Sequence, residues 1–509
     1  MEMTNTAIEL KGIRKVFGNV VANDEVDLSV KKGEILALLG ENGSGKTTLM
    51  NMLSGIYQPD AGIIYVNGKN VHISSPEDSK KLGIGMIHQH FKLVELFSGI
   101  DNVLLGSDKQ KFFLSKKRIE TVNESIKDFG LNVDLSKKVY DMSVSEKQSV
   151  EIIKVLFNGA RILILDEPTA VLTPQETQVL FDILRKMRDS GCAIVIITHK
   201  LNEVLEISDR VTILRKGKSI ATVETSRTNA QELTELMVGH AVELSIDRPE
   251  VKVENTPLFS VHHLVVENED KINILDDISF ELRRGEILGV AGVAGSGQKE
   301  LCETIAGLQK AKRGAILYEN ENIVGKNPRE IIKLGISMSF IPEDRLGMGL
   351  SASMGIRDNM LLKNYRMSKG PLVDRRNAAK TAKSIVKEYS ILAPDIVTPV
   401  SRLSGGNVQK VLLGREIEAG PNVIITAYPV RGLDINSSYT VYNALNAQKK
   451  KGVGVLFIGE DLDVMLELCD RIMVLCHGKI TGIVDARTTT KEQIGLLMTG
   501  TEEVDKADE

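Results

Sequence analysis

Strand-sized runs of consecutive apolar, largely β-branched residues recur along the chain, as at Ile35–Leu39, Arg161–Leu165 and Ala193–Thr198. Glycine or polar segments bound each run, which predicts buried strands of a parallel sheet rather than helices. A glycine-rich turn follows Ile35–Leu39 and feeds a helix beginning near Lys46. Val211–Leu214 and Ser219–Val223, joined through Lys216-Gly217, predict a late hairpin. Between Gln89 and Met142 the pattern turns polar and helical (KKRIETVNESIKDFG), predicting a helical subdomain inserted on an α/β core. No apolar run approaches the roughly 18–20 residues of a membrane span. The start, MEMTNTAIEL, lacks the basic patch and apolar run of a signal peptide.

The pattern occurs twice. DEVDLSVKKGE (Asp24–Glu34) matches DDISFELRRGE (Asp276–Glu286), and each runs into a strand and a glycine-rich turn: GEILALLGENGSGKTT, then GEILGVAGVAGSGQKE. SDRVTILRKGK (Ser208–Lys218) matches CDRIMVLCHGK (Cys469–Lys479), and LMVG (Leu236–Gly239) matches LMTG (Leu497–Gly500). A duplicated domain follows, with boundaries at 1–240 and 258–500. The stretch 241–257 has few bulky apolar residues and reads as a linker, and 501–509 as an acidic tail.

Composition narrows the class. The apolar fraction is 42% and the charged fraction 26%, which suits a folded protein of several domains. A net charge of −4 gives no basic bias toward nucleic acid, and 4% aromatics without Trp offer no stacking platform for single strands. The four cysteines (Cys192, Cys302, Cys469, Cys476) form no metal-type cluster and suit a reducing cytosol.

The chemistry lies in the first copy. Gly40-Glu-Asn-Gly43-Ser44-Gly45-Lys46-Thr47 satisfies G-x-x-x-x-G-K-[ST] between a strand and a helix. Such glycines let backbone N–H groups wrap phosphates, while the lysine reaches the β- and γ-phosphates and the Thr47 hydroxyl ligates Mg²⁺. Arg161–Pro168 is an apolar strand ending in Asp166 and Glu167, carboxylates suited to the Mg²⁺ shell and to polarising an attacking water. His199 ends the next strand, within reach of a γ-phosphate.

With these motifs the chain resembles the tandem ATPase subunits of ATP-binding-cassette (ABC) importers over nearly its whole length. The resemblance implies two RecA-like α/β cores, each with an antiparallel β subdomain and a helical subdomain. It implies ATP and Mg²⁺ as cofactors, with Ser44 and Thr48 joining the phosphate-binding set. By the same match Phe17 resembles the aromatic that stacks on adenine, Gln89 the glutamine that touches Mg²⁺ and faces the membrane partner, and His199 the switch histidine. Leu403-Ser404-Gly405-Gly406-Asn407 resembles the signature LSGGQ, whose hydroxyl and amides bind the γ-phosphate.

The second copy has lost these groups one after another. Gln298 stands for Lys46, Lys299 for Thr47, Ala427 for Asp166, Tyr428 for Glu167, Glu460 for His199 and Glu269 for Phe17. Lys299 is expected to put an ammonium where Mg²⁺ needs a hydroxyl. The signatures are unequal in the opposite sense: the first copy has Met142-Ser143-Val144-Ser145-Glu146, and Glu146 is expected to repel ATP if it faces the site. The family's head-to-tail pairing then implies one intact composite site and one degenerate site.

IPEDR (Ile341–Arg345), RGLD (Arg431–Asp434) and EPTAVLTPQE (Glu167–Glu176) resemble the simple-sugar and nucleoside branch, and HQHFKLV its nucleoside members. The resemblance implies a peripheral subunit on the cytoplasmic face of the membrane. Its implied partners are two integral-membrane permeases and an extracytoplasmic substrate-binding lipoprotein, with no direct substrate contact and no nucleic acid. Nucleoside import is the first expectation, and import of a monosaccharide of ribose or galactose type the alternative. Twin ABC ATPases acting on ribosomes or DNA keep two competent sites and are more basic, which this chain is not. A sensor without turnover is opposed by Glu167.

Overall fold

The computed structural model describes residues 5–88, 91–105, 133–240, 245–251, 256–268, 270–293, 295–334, 336–340, 345–364, 373–431 and 433–500. The chain divides into two compact units, Met1–Glu243 and Leu244–Glu509. The expected helical segment KKRIETVNESIKDFG and the acidic tail lie outside the described residues.

In unit 1 the strands are β1 Thr6–Phe17, β2 Val20–Lys31, β3 Ile35–Leu39, β4 Ala61–Val66, β5 Lys69–Val71, β6 Ile84–Ile87, β7 Ile162–Asp166, β8 Ala193–Thr198, β9 Arg210–Arg215 and β10 Lys218–Glu224. The helices are α1 Lys46–Leu53, α2 Pro76–Lys81, α3 Gly99–Leu104, α4 Val144–Phe157, α5 Pro174–Asp189, α6 Leu201–Ile207 and α7 Ala230–Val238. A six-stranded sheet runs β10-β9-β3-β8-β7-β6, parallel except for the β9–β10 hairpin, and an antiparallel sheet runs β2-β1-β4-β5.

Strand alternation sorts the core into two layers. Leu36, Leu38, Ile162, Ile164, Val195 and Ile197 pack with α1 and the antiparallel sheet. Ile35, Leu163, Leu165, Ile194 and Ile196 pack on the other face with α4 and α5. Because both faces of β3, β7 and β8 are covered, these strands read as unbroken apolar runs.

Unit 2 repeats the plan with strands β11 Pro257–Glu267, β12 Asn273–Arg283, β13 Ile287–Ala291, β14 Arg313–Tyr318, β15 Glu321–Asn322, β16 Ile336–Phe340, β17 Val423–Ala427, β18 Gly454–Ile458, β19 Arg471–Cys476 and β20 Lys479–Asp485. Its helices are α8 Gln298–Ile305, α9 Pro328–Lys333, α10 Arg345–Met348, α11 Ile356–Asn364, α12 Arg375–Glu388, α13 Gly405–Glu418, α14 Ile435–Lys450, α15 Leu462–Leu468 and α16 Lys491–Met498. The sheets run β16-β17-β18-β13-β19-β20 and β12-β11-β14-β15.

Residues 245–251, read from sequence as part of a linker, strap onto unit 2. Ile246 packs on its core, the Asp247 carbonyl accepts from Asn446 at 3.1 Å, and Arg248 donates to the carbonyl of Cys469. Few bulky residues hid this segment, since one isoleucine and backbone bonds suffice to hold it.

Candidate active site

Three strand ends build the site in unit 1. Leu39 pairs with Thr198 and Asp166 with Ile197 in the parallel ladder, so the chain leaves β3, β7 and β8 at one sheet edge. The carboxyl ends of parallel strands are where α/β sheets take ligands. Gly40, Glu167 and His199 are the first residues past those ends.

The loop 40–45 is shaped by close backbone approach. Gly45 caps α1 at φ 99° with no side-chain cap, leaving the first-turn amides available to an anion. A Cβ at Gly45 would stand 2.3 Å from the Ala22 carbonyl oxygen, and one at Gly40 2.2 Å from that of Leu214, so larger residues do not fit this backbone. Asn23, fully buried, donates Nδ2 to the Gly45 carbonyl at 3.3 Å and pins the loop to β2. Motif reading missed Asn23, which stands beside Asp24 and Glu25 and so is unmarked among polar neighbours.

Lys46 is buried, and its Nζ donates to the Gly40 and Glu41 carbonyls at 2.6 and 3.0 Å. Burial pulls the ammonium below the usual lysine value, against the opposing pull of Glu167 and Asp166. Ser44 Oγ is buried without a hydrogen-bond partner. The lysine resting on its own loop and the orphaned hydroxyl both fit a site that gains phosphate oxygens as partners.

Asp166 is buried at the end of β7 and is pushed up to about 6, first by burial and then by the neighbouring Glu167. The Thr47 hydroxyl hydrogen-bonds it and pulls the other way. Hydroxyl and carboxylate together form the hard oxygen set that Mg²⁺ prefers, so these residues fit that ion. Glu167 adopts φ 47°, with its N–H on the Ile197 carbonyl at 2.9 Å. Such a conformation costs about 1–3 kcal/mol at a non-glycine residue. Its carboxylate meets His199 Nδ1 at 2.9 Å, and that hydrogen bond holds the acid below the usual carboxylate range.

A supporting set lies behind these groups. Glu203 accepts from Thr169 Oγ1 at 2.7 and 2.6 Å and pairs with Lys200 at 3.1 Å, tying the segments after β7 and β8 together. Gln148 of α4 donates to the Pro168 carbonyl at 2.9 Å. These residues were not singled out from sequence because each acts through backbone carbonyls or neighbours far along the chain.

Phe17 is exposed, with Tyr57 edge-on at 5.2 Å and Lys15 Nζ 5.5 Å from the ring centre. Thr48 lies in the first turn of α1. Gln89 lies outside the described residues.

Two of the singled-out side chains have partners of their own. Lys299 is exposed and pairs with Glu303 one turn along at 3.8 Å. Glu146 turns back on its own helix, accepting the Ser143 N–H at 2.8 Å and pairing with Lys137 at 2.8 Å. Ser143 Oγ in turn accepts from the Glu146 amide, closing a capping box at the start of α4. The helix after Ser404 differs: α13 opens on Gly405 and Gly406 with no side-chain cap, and Asn407 donates Nδ2 to Ser404 Oγ at 2.8 Å. Its first amides therefore stay available where those of α4 are partly used.

In unit 2 the scaffold persists without the chemistry. Gly297 keeps φ 101°, and Tyr428 keeps φ 51° with its N–H on the Ile458 carbonyl at 2.9 Å. Gln298 is buried and donates to the Val293 carbonyl at 3.3 Å, imitating the rest position of Lys46 without its charge. Tyr428 is pushed up to about 12, chiefly by burial, and Arg431 lies 5.9 Å from its ring and 3.3 Å from Glu460.

The fold and this site define a phosphate-loop nucleotide hydrolase duplicated in one chain. The family model described as "ABC transporter" matches residues 23–170 and 275–429, and the chain belongs to that family, whose domains bind and hydrolyse ATP. It is 41% identical to the nucleoside import ATP-binding protein NupA of Lactococcus lactis, covering 97% of this chain and 98% of the relative. It is 42% identical to the guanosine import ATP-binding protein NupO of Bacillus subtilis, covering 97% of each. A ribose import ATP-binding protein of Rubrobacter xylanophilus is 37% identical over 97% of this chain and 98% of its own. Among solved structures, the archaeal ribosome recycling factor aABCE1 aligns over 94% of this chain and 90% of its own at TM-score 0.61 and 18% identity, a likeness of fold alone.

Proposed function

We propose that the chain powers import of nucleosides, hydrolysing ATP at unit 1. The observation that carries the catalytic assignment is the Glu167–His199 pair, 2.9 Å apart, at the sheet edge that also presents Lys46. In this reading Lys46 leaves the Gly40 and Glu41 carbonyls for the β- and γ-phosphates. Gly40, Gly43, Ser44, Gly45 and Thr48 line the phosphates, and Phe17 takes the adenine. Glu167, ionised and oriented by His199, polarises the attacking water. Thr47 and Asp166, with Gln89, would hold Mg²⁺, which neutralises phosphate charge when bound. Ser404, Gly405, Gly406 and Asn407 complete the phosphate contacts as the family signature does.

Identity supports nucleosides over sugars: 41–42% to the nucleoside and guanosine relatives against 37% to the ribose relative above. The reading places the chain on the cytoplasmic face of the membrane, bound to two permeases that receive substrate from an extracytoplasmic lipoprotein. Among the described residues no helix is long and apolar enough to cross a membrane. Unit 1 exposes Val94, Leu96, Phe97 and Tyr140, and the Tyr140 amide bonds the Glu95 carbonyl at 3.2 Å, so these apolar groups form one patch. A patch of that kind suits an amphipathic segment of a membrane protein. Uptake of labelled guanosine and ribose by cells with and without the chain tests the assignment: loss of guanosine uptake alone supports it, and loss of ribose uptake alone replaces it with the sugar reading.

A further inference from the structure

The loop 91–97 is held by one helix through both backbone polar groups of a single residue, Lys92. Glu151 of α4 accepts the Lys92 N–H at 2.7 Å, and Lys154, one turn on, donates to the Lys92 carbonyl at 3.1 Å. Glu151 is only 5% exposed. A second grip comes from Asn102 of α3, fully buried, which accepts from the Val94 N–H at 2.8 Å and donates to the Val94 and Ser98 carbonyls at 3.0 Å each.

The internal duplication separates what the fold needs from what the function needs. Unit 2 keeps the asparagine grip and the basic one: Asn359 accepts from Ser351 N–H at 2.8 Å and donates to the Ser351, Met354 and Gly355 carbonyls at 3.1–3.2 Å, and Arg415, at the helical position of Lys154, donates to the Gly349 carbonyl at 2.9 Å. At the helical position of Glu151 it has Leu412, buried in the core. A leucine therefore satisfies the packing of this helix, and a carboxylate there pays a desolvation cost that packing does not require. Glu151 belongs to the unit that keeps the hydrolytic residues, on the helix that begins at the Ser143 signature and reaches Pro168 through Gln148.

We propose that Glu151 is a positioning residue that transmits movement of α4 to the 91–97 loop and so couples the nucleotide state of unit 1 to the apolar patch. The consequence for transport rests on the importer reading above; the mechanical linkage does not.

Hydrogen exchange of residues 91–97 in the full chain, in a Glu167→Gln background with and without ATP, tests the linkage. The ATP-dependent change in exchange is expected with Glu151 and with Glu151→Gln, whose amide oxygen still accepts. With Glu151→Ala it is expected to vanish, and the Lys92 amide to exchange roughly tenfold faster or more, as loss of a charge-assisted bond implies. Persistence of the ATP-dependent change in Glu151→Ala overturns the proposal. In the Glu167 background, Glu151→Ala should leave basal ATPase within about twofold while guanosine uptake falls roughly tenfold, with Glu151→Gln restoring it. Equal loss of both activities also overturns it. If the unsubstituted chain supports no uptake, the importer reading fails, and the exchange result still decides the linkage.

Discussion

Glu167 holds a left-handed backbone conformation at φ 47°, and Tyr428 repeats it at φ 51°. A strained turn kept in both copies is a property of the strand end, while the side chain upon it decides the chemistry. Glu167→Gln is expected to retain ATP binding and lower hydrolysis by about two or more orders of magnitude, measured as steady-state phosphate release. Tyr428→Phe should change the rate little. The identities of Lys46, Asp166, Glu167 and His199 were legible because each falls at a fixed place after an apolar run. The directions of Lys299 and Glu146 were not, because rotamers answer to partners such as Glu303 and Lys137 that no motif specifies.

Helix starts carry the contrast between the two signature segments. The α4 capping box joins Ser143 and Glu146, and the Lys137 hydrogen bond holds Glu146 below the usual carboxylate value. A depressed value means stability that is present above the ordinary carboxylate range and lost as pH falls through it. Glu146→Ala should therefore lower the thermal midpoint at about pH 7, by an amount corresponding to about 1 kcal/mol, and lower it less at about pH 3. Ser404→Arg puts a bulky cation at an uncapped helix start that the signature pattern assigns to phosphate, and ATPase activity is expected to disappear. Ser143→Arg removes a cap and costs about 1 kcal/mol of stability, and activity should stay within a few-fold. Circular dichroism establishes folding of both variants; the opposite ranking of their activities would remove Ser404 from the nucleotide-binding set.

At the scale of the molecule, the duplication is visible in sequence because matching strand–turn–helix segments recur in order, and the two six-stranded sheets follow from the same apolar runs. The antiparallel sheets came from resemblance rather than pattern, since strands such as β1 are only half covered. The 245–251 strap, the Glu203 network and the Lys92 clamp escaped sequence reading, because all depend on groups distant in sequence that only the fold brings together.

The proposed division of labour gives hydrolysis to unit 1 and leaves unit 2 the scaffold without the reaction. Steady-state ATPase of Lys46→Ala and Gln298→Ala, in otherwise unaltered full-length chain, tests it most directly. Lys46→Ala is expected to reduce the rate by about two or more orders of magnitude, because it removes the buried ammonium that the phosphate loop presents. Gln298→Ala, which removes one neutral hydrogen bond, should stay within about threefold. Equal losses in the two variants, or a larger loss in Gln298→Ala, would contradict the account.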